Sequence, residues 1–234
     1  MMISFVVPAH NEENRIEQTI NEIINSCKDE NIKNPEIIVI NDCSTDNTLE
    51  VLKKLNQNNL ECQLSFYTNP KNLGFGGSVK QGFNMANRES IMWIPGDNAH
   101  PASEIKKILK HFISNNYSAI STYYSNKEKR NFFRQLFTDI YTPFLNFVFG
   151  LKLKYYNGLT IIDRGCLKEI NIQTDAHCWQ VEMWVKLKKL NNFNYDFVPT
   201  LLFEDDKSTA VFKLRNSIKV FFVIIKLILF NLFK

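Results

Sequence analysis

The 234-residue sequence predicts an α/β fold in which a Rossmann-like, mostly parallel sheet carries helices on both faces. Short apolar runs, which suit strands covered on both faces, alternate with segments whose apolar residues recur at helical spacing. Hydrophobic residues make up 44% of the chain and charged residues 22%, a composition that supplies a sizeable core and excludes intrinsic disorder. Strands that alternate with helices of ten or more residues are typical of βαβ units, which place their strands parallel.

The first half of the chain contains the clearest elements. The first strand is predicted at Ile3–Ala9, and the helix that follows, Asn14–Ser26, carries isoleucines on one face. Ser44 or Thr45 is predicted to cap a second helix, which runs to about Asn56. Further strands are predicted at Glu36–Asp42, Gln63–Thr68, Ser90–Ile94 and Ser118–Tyr123, and further helices at Phe75–Asn87 and Ala102–Asn115.

A long aromatic helix is predicted from Arg130 to Phe149, with Arg130 and Arg134 one turn apart on one face. Its aromatic stripe has two interpretations, ordinary core packing and a membrane-facing surface, since Phe and Tyr beside Arg suit both.

The tail predicts an amphipathic helix at residues 211–234, after a domain that covers residues 1–210. Its apolar run, Val220–Phe230, is too short for a confident membrane span and contains Lys226. At about 100° per residue, Arg215, Lys219 and Lys226 fall within about 40° of one another, which favours a helix lying on an anionic membrane surface. Docking against a partner helix or a second copy is the alternative, and a homodimer stays open.

The net charge and the cysteine content indicate which partners and which cellular location to expect. A net charge of +4 is too small to indicate a nucleic-acid partner. The five cysteines form no C-x-x-C pair, and no secretory n-region precedes Ile3, so we expect a reducing, cytoplasmic location. Together with the tail, this predicts a peripheral protein on the inner face of a membrane.

Polar and acidic residues follow three of the predicted strands. Residues 8–13 read PAHNEE, residues 41–46 read NDCSTD and residues 95–98 read PGDN. Ligands of parallel α/β sheets bind beyond the carboxyl ends of the strands, so we expect these three segments to meet at one edge of the sheet. A turn followed by a helix cap would explain any one of them alone.

These segments, with the glycine-rich residues 72–82, resemble the P-x-x-N-E, D-D-G-S-T-D and N-x-G-x-G-x-A-x-x-x-G motifs of family 2 glycosyltransferases, which have a GT-A fold. The similarity covers roughly the first 105 residues and is greatest to dolichyl-phosphate mannose synthase-like enzymes. It implies that Pro8, Ala9, Asn11 and Glu13 line the pocket of a UDP- or GDP-linked sugar and that Asp42 holds the base. Glycines of the third segment have a packing interpretation too.

The family's D-x-D motif, which binds Mg²⁺ or Mn²⁺ on the donor diphosphate, is incomplete. Asp97 matches its second acid, and Pro95 replaces the first. The resemblance implies that Asp97 is a catalytic metal ligand. Asn98 adds a hard oxygen, while donor phosphates complete the shell, so the metal affinity without donor should be low. His100 is either a further ligand or a partly exposed residue at the start of a helix.

The second half resembles the acceptor side of the family. Asn157 and Gly158 match the start of an S-G-F-x-x-x-x-R segment, and Glu182 matches a Glu on a later helix. A hydroxyl acceptor requires a base, for which Glu182 or Asp205 is the candidate. A phosphate acceptor requires cations instead, for which Arg130 and Arg134 are the candidates.

The resulting expectation is an inverting glycosyltransferase of cell-envelope glycan biosynthesis, acting on a lipid-linked acceptor, such as a polyprenyl phosphate, or on a membrane-proximal glycan. The missing first acid favours an alternative, a nucleotide-sugar-binding pseudoenzyme or scaffold. A nucleotidyltransferase of the same fold is a third hypothesis, against which stands the absence of a basic glycine-rich loop after the first strand.

Overall fold

The computed structural model describes residues 1–58, 60–126, 132–175, 178–201 and 222–229. The strands are β1 (Ile3–Ala9), β2 (Glu36–Asn41), β3 (Gln63–Thr68), β4 (Ser90–Trp93), β5 (Ala119–Tyr124), β6 (Thr160–Asp163) and β7 (Tyr195–Thr200). The helices are α1 (Ile16–Asp29), α2 (Thr48–Gln57), α3 (Gly74–Met85), α4 (Ala102–Ser114), α5 (Phe132–Phe149), α6 (Arg164–Lys168) and α7 (Trp179–Leu187), and residues 222–229 form a further helix, α8.

The described strands form a seven-stranded sheet in the order β3-β2-β1-β4-β6-β5-β7. β1 pairs in parallel with β2 and β4, β2 with β3, and β5 with β7. The predicted mostly parallel α/β sheet is therefore confirmed. β6 is the exception, because it runs antiparallel to both β4 and β5, with Ile162 opposite Ile91 on one side and Ala119 on the other.

The burial of the strands explains why the sequence pattern predicts them. Every residue of β1, β2 and β4 is buried, which matches their continuous apolar runs. On the outer strand β3 no residue is fully buried. The isoleucines predicted to share one face of α1 do point into the core, and they are Ile16, Ile20, Ile23 and Ile24.

Helix α3 lies directly against β1 because Gly82 has no side chain. A Cβ at Gly82 would stand 2.2 Å from Cγ1 of Val6, a distance that no real contact allows. Gly76 and Gly77 are buried in the same helix. Gly82 therefore supports the packing interpretation, because its lack of a side chain allows the close approach of α3 to β1.

The start of α2 differs from the prediction. The helix begins at Thr48, preceded by Asn47 without a side-chain cap, so the proposed caps Ser44 and Thr45 lie ahead of the helix. Both residues are instead used in contacts with the loop after β1, which compete with capping for their hydrogen bonds.

The aromatic helix α5 has two different faces. Leu145 and Phe149 are buried in the core, which agrees with the packing interpretation. An apolar stripe on α5 is left exposed, and it consists of Leu136, Ile140, Phe144 and Phe147, the last being 89% exposed. These four residues recur at helical spacing, so the stripe is a continuous surface.

Helix α8 docks on the chain itself rather than extending away from it. Leu227 is buried, and the Nζ of Lys226 donates to Oε1 of Gln173 at 2.9 Å. Phe222, Ile225 and Leu229 are exposed. Arg215, Lys219 and the predicted domain boundary at 210 lie outside the described residues, and among the helices described none is long and apolar enough to cross a membrane.

Candidate functional site

The three polar segments after β1, β2 and β4 meet at one edge of the sheet, as predicted. β1 lies between the other two strands. Beyond the strand ends, the N–H of Asp42 donates to the carbonyl of Ala9 at 2.8 Å, and the N–H of Gly96 donates to the carbonyl of Pro8 at 3.0 Å. The loops that carry Asn11, Asp42 and Asp97 are thus held next to one another; we call this edge the rim.

Asn11 joins the first two loops of the rim. Its Oδ1 accepts from the backbone N–H of Thr45 at 2.8 Å, and its own N–H donates to Oγ of Ser44 at 2.9 Å. Asn11 has a φ of 59°, a left-handed conformation that Asn tolerates better than most residues. Its side chain is exposed, so the loop presents it to solvent above the rim.

Glu13 makes a second reciprocal contact between the same loops. Its Oε2 accepts from the backbone N–H and the Nδ2 of Asn47, at 2.9 and 2.8 Å, while its own N–H donates to Oδ2 of Asp46 at 3.1 Å. The residues after β1 that are predicted to bind the sugar donor are therefore held in place by the loop after β2. Asp46 was not singled out from the sequence, although it is the last acid of the D-D-G-S-T-D-like string.

The pKa of Asp46 lies below its ordinary value. Burial alone would raise that pKa, but hydrogen bonds from the side chain and backbone of Thr48 and from the backbone of Glu13 outweigh it. These donors favour the charged carboxylate. Asp46 therefore acts as an ionised fastener of the rim at neutral pH.

Asp42 is buried and its carboxylate is already engaged by the chain. Oδ1 accepts from Nδ2 of Asn69 and from the N–H of Leu73, and Oδ2 accepts from the N–H of Gly74, each at 2.8 Å. A carboxylate has about four acceptor positions, so one remains on Oδ2. The structure thus assigns Asp42 to holding the loop before α3, and its contact with a base stays a prediction.

The Asp97 loop offers oxygen atoms that suit a divalent cation. Asp97 is half-buried, and its Oδ1 accepts from the N–H of Ala99 at 3.2 Å. Asn98 donates through Nδ2 to Oε1 of Gln18, which leaves its own buried Oδ1 without a hydrogen-bond partner among the described residues. Mg²⁺ and Mn²⁺ prefer such oxygens, so Asp97 and Asn98 fit the expected metal.

The described residues supply part of a coordination shell. Among the described residues, no group of three or more His, Cys, Asp or Glu side chains stands close enough to hold an ion. The two oxygens of the Asp97 loop therefore fit a cation that receives its other ligands from phosphates and water, as Mg²⁺ commonly does.

His100 differs from the expectation of a partly exposed residue. It is 7% exposed, and its Nδ1 has no hydrogen-bond partner within the described part of the chain. Burial lowers the pKa of His100, against the opposing influence of Asp97 and Glu104. The ring is therefore neutral near pH 7, and its role as a further ligand stays a prediction.

The acceptor candidates before β6 reach the rim because β6 is antiparallel, so it begins at the edge where β4 ends. Asn157 is exposed there, whereas Gly158 is buried. A Cβ at Gly158 would lie 2.1 Å from the carbonyl oxygen of Thr122, and its own carbonyl accepts from Nε2 of Gln180 at 2.9 Å. Gly158 is thus needed for the close approach of the two strands.

The two arginines proposed for the acceptor cannot be placed in the same way. Arg130 and the candidate base Asp205 lie outside the described residues, and so does the side chain of Arg134. Their contact with an acceptor stays a prediction.

Glu182 is buried in α7 and fully engaged with the chain. Its carboxylate accepts from the N–H groups of Gln173 and Thr174, at 2.9 and 2.8 Å, and from Nζ of Lys186 at 2.6 Å. It therefore anchors the segment before α7. A base must accept a proton from the acceptor, for which these donors would have to yield, so the catalytic role of Glu182 stays a prediction.

A cavity of about 230 Å³ opens beside Glu182. One side is formed by the segment that Glu182 anchors and the other by α8, which contributes Val223, Lys226 and Leu227. No local sequence pattern signals this arrangement, because the contact joins residues about fifty positions apart.

Comparison with known proteins identifies the family. The model of the family described as glycosyl transferase family 2 matches residues 4–170, more than half of the chain.

Among curated proteins, the dolichyl-phosphate beta-glucosyltransferase of Trichomonas vaginalis is 34% identical over 111 residues, which cover 46% of this chain and 32% of that protein. The undecaprenyl-phosphate 4-deoxy-4-formamido-L-arabinose transferase of Serratia proteamaculans is 23% identical over 166 residues, or 70% of this chain and 47% of that protein. The chain thus spans about a third to a half of the length of these relatives.

Solved structures agree on the fold. Glucosyl-3-phosphoglycerate synthase from Mycobacterium tuberculosis, crystallised with Mn²⁺, UDP and phosphoglyceric acid, matches with a TM-score of 0.72 at 16% identity, over 97% of this chain and 78% of that one. The mannosyltransferase of Pyrobaculum calidifontis, crystallised with GDP-Man and Mn²⁺, matches with a TM-score of 0.65 at 15% identity, over 89% and 58%. The expected GT-A fold is therefore confirmed.

Proposed function

Because this chain belongs to glycosyltransferase family 2, we propose that it moves a sugar from a nucleoside diphosphate sugar to a lipid-linked or membrane-proximal acceptor, with inversion at the anomeric carbon. The observation that carries the proposal is the rim, where the loops of Asn11, Asp42 and Asp97 are bonded to one another at the ends of adjacent strands. A ligand of a parallel sheet binds at such an edge.

The donor lies along the rim in this proposal. Pro8, Ala9, Asn11 and Glu13 line the nucleotide, and the remaining acceptor position of Asp42 takes an N–H of a uracil or guanine base. Asp97 and Asn98 would hold Mg²⁺ or Mn²⁺ through their side-chain oxygens. A bound cation would stabilise the negative charge of the departing nucleoside diphosphate.

In the transfer step, an acceptor oxygen forms a bond to the anomeric carbon while the bond from that carbon to the diphosphate breaks. A phosphate acceptor is already anionic, so the step needs no base, and Arg130 and Arg134 would hold it. A hydroxyl acceptor loses its proton to a carboxylate, for which Glu182 is the candidate. The relatives named for dolichyl-phosphate and undecaprenyl-phosphate support a polyprenyl phosphate acceptor.

We place the protein at the inner face of a membrane. The exposed stripe of α5 and the exposed residues Phe222, Ile225 and Leu229 of α8 support this part of the proposal, since such apolar surfaces are unusual in water. Lys152, an exposed residue that follows α5 in the chain, suits anionic headgroups.

A thermal-shift panel tests the donor. We expect UDP or GDP, or one of their sugars, to raise the melting temperature, and Mn²⁺ to enlarge the shift, because a ligand stabilises the state that binds it. Transfer of labelled sugar to polyprenyl phosphate in vesicles then tests the reaction. Donor binding without transfer or hydrolysis would favour the pseudoenzyme, and no response to any nucleotide would overturn the proposal.

A further inference from the structure

Helix α1 holds the Asp97 loop through side chains on one of its faces. Gln18 accepts from Nδ2 of Asn98 at 3.1 Å, and Glu22 accepts from the backbone N–H at the start of α4. Between them, Thr19 contacts the loop on both sides of Asp97. α1 itself begins just after the loop that carries Asn11, so one helix connects the donor loop with the metal loop.

The hydroxyl of Thr19 is the central contact of this face. Thr19 is 2% exposed, and its Oγ1 accepts from the N–H of Asn98 at 3.0 Å. The same hydroxyl has two acceptors for its one proton, the carbonyl of Gly96 at 3.1 Å and that of Arg15 at 3.2 Å. A single side chain therefore bonds the residue before Asp97 and the residue after it.

These two contacts of Thr19 hold a backbone conformation that would otherwise be unfavourable. Asn98 has a φ of 56°, in the left-handed region that costs a non-glycine residue free energy unless its surroundings hold it there. The contact that Asp97 makes inside its own turn, with Ala99, is local and sets no position relative to the rest of the rim. α1 therefore sets the direction of the Asp97 carboxylate together with the bond from the N–H of Gly96 to the carbonyl of Pro8.

We propose that Thr19 is a positioning residue for the divalent cation: its hydroxyl holds the Gly96–Asn98 turn so that Asp97 presents an oxygen to the ion on the donor diphosphate. This inference rests on the proposed function. Thr19 itself touches neither donor nor metal. Its loss should weaken the part of donor binding that depends on Mn²⁺ and leave the metal-independent part unchanged.

Three variants test the proposal. Thr19→Val keeps the shape and removes the hydroxyl, Thr19→Ser keeps the hydroxyl, and Ser26→Ala removes a buried hydroxyl of the same helix that bonds only within the helix, to the carbonyl of Ile23. The readout is the Mn²⁺ concentration that gives half of the nucleotide-dependent thermal shift, measured with UDP and with GDP. Thermal unfolding without ligand reports whether each variant folds.

For Thr19→Val we expect about a tenfold higher half-saturating Mn²⁺ concentration, the size of effect that one lost hydrogen bond gives. Nucleotide binding in EDTA should stay unchanged, and Thr19→Ser and Ser26→Ala should behave like the wild type. The inference fails if Thr19→Val responds to Mn²⁺ like the wild type, or if Thr19→Ser is as impaired as Thr19→Val. A wild type that binds no nucleotide would instead overturn the proposed function.

Discussion

The carboxylate of Asp42 accepts a 2.8 Å hydrogen bond from the backbone N–H of Gly74, the first residue of α3. Gly74 has a φ of 75°, so the turn that starts the helix is one that glycine adopts at little cost. This bond connects the end of β2 to the start of α3. Asp42, which the motif suggests as the contact of a nucleotide base, therefore also orders the loop before α3.

Asp42→Asn should destabilise the fold and weaken donor binding together. The amide can replace one carboxylate oxygen, but its NH₂ group then faces a backbone N–H, and a buried donor loses its acceptor. We expect a loss of about 1–3 kcal/mol in the free energy of unfolding. Urea denaturation measures the loss. Asp29→Asn is the control, since Asp29 is 55% exposed and its ion pair with Lys106 is worth little. Equal stability of the two variants would contradict the conclusion that Asp42 holds the loop before α3.

Asp97→Asn should lower turnover without unfolding the protein. The variant keeps the size of the side chain and can still accept from Ala99, so the fold should be unchanged, while the charge that attracts the cation is lost. We expect transfer to fall by about 10²-fold or more, a loss that charge stabilisation in an active site commonly accounts for. Radiolabelled transfer, with Asp29→Asn beside it, makes the comparison. Wild-type turnover in Asp97→Asn would remove Asp97 from the metal site.

Asp46→Asn should cost stability in a pH-dependent way. The folded-state pKa of Asp46 is lowered, so its carboxylate stabilises the fold fully above its ordinary pKa, about 4, and this contribution disappears as pH falls through the lower folded value. We expect the wild type to exceed the variant by about 1.5–3 kcal/mol at pH 7, the usual contribution of hydrogen bonds to a charged group. Denaturation at pH 7 and pH 3 checks the sign. A difference that is larger at pH 3 would contradict the assignment.

The exposed face of α8 should bind membranes. We expect the triple variant Phe222→Ser, Ile225→Ser, Leu229→Ser to lose at least about tenfold in affinity for anionic vesicles, since it lacks three apolar side chains that leave water when the helix binds. Thermal unfolding without vesicles reports whether the variant folds. Ile113→Ser, at another exposed apolar position, is the control. Unchanged sedimentation of the triple variant with vesicles would refute the role of α8 at the membrane.

The half of the sheet that contains β1 to β4 can be predicted from the sequence, because the patterns that indicate its strands and loops are local. Buried strands such as β1 are continuous apolar runs, and the residues that end them, including Asn11 and Asp97, follow directly in the chain. Parallel pairing then brings these ends together, so position in the sequence predicts position on the rim.

The remaining features depend on contacts between distant residues. β6 has four residues, Thr160–Asp163, too few for a pattern to show its direction. In the sequence, Thr19 is one polar residue on an amphipathic helix, and its bond to Asn98, 79 positions away, depends on the fold. Likewise, the engagement of Glu182 by backbone N–H groups has no counterpart in its motif.

The strand order also bears on how the chain is made. β1 to β4 occupy one continuous half of the sheet, so the loops that carry Asn11, Asp42 and Asp97 are synthesised before β5 begins. A chain leaving the ribosome can therefore assemble this half first, and the later half, with Gly158 and Glu182, then adds to it through β6.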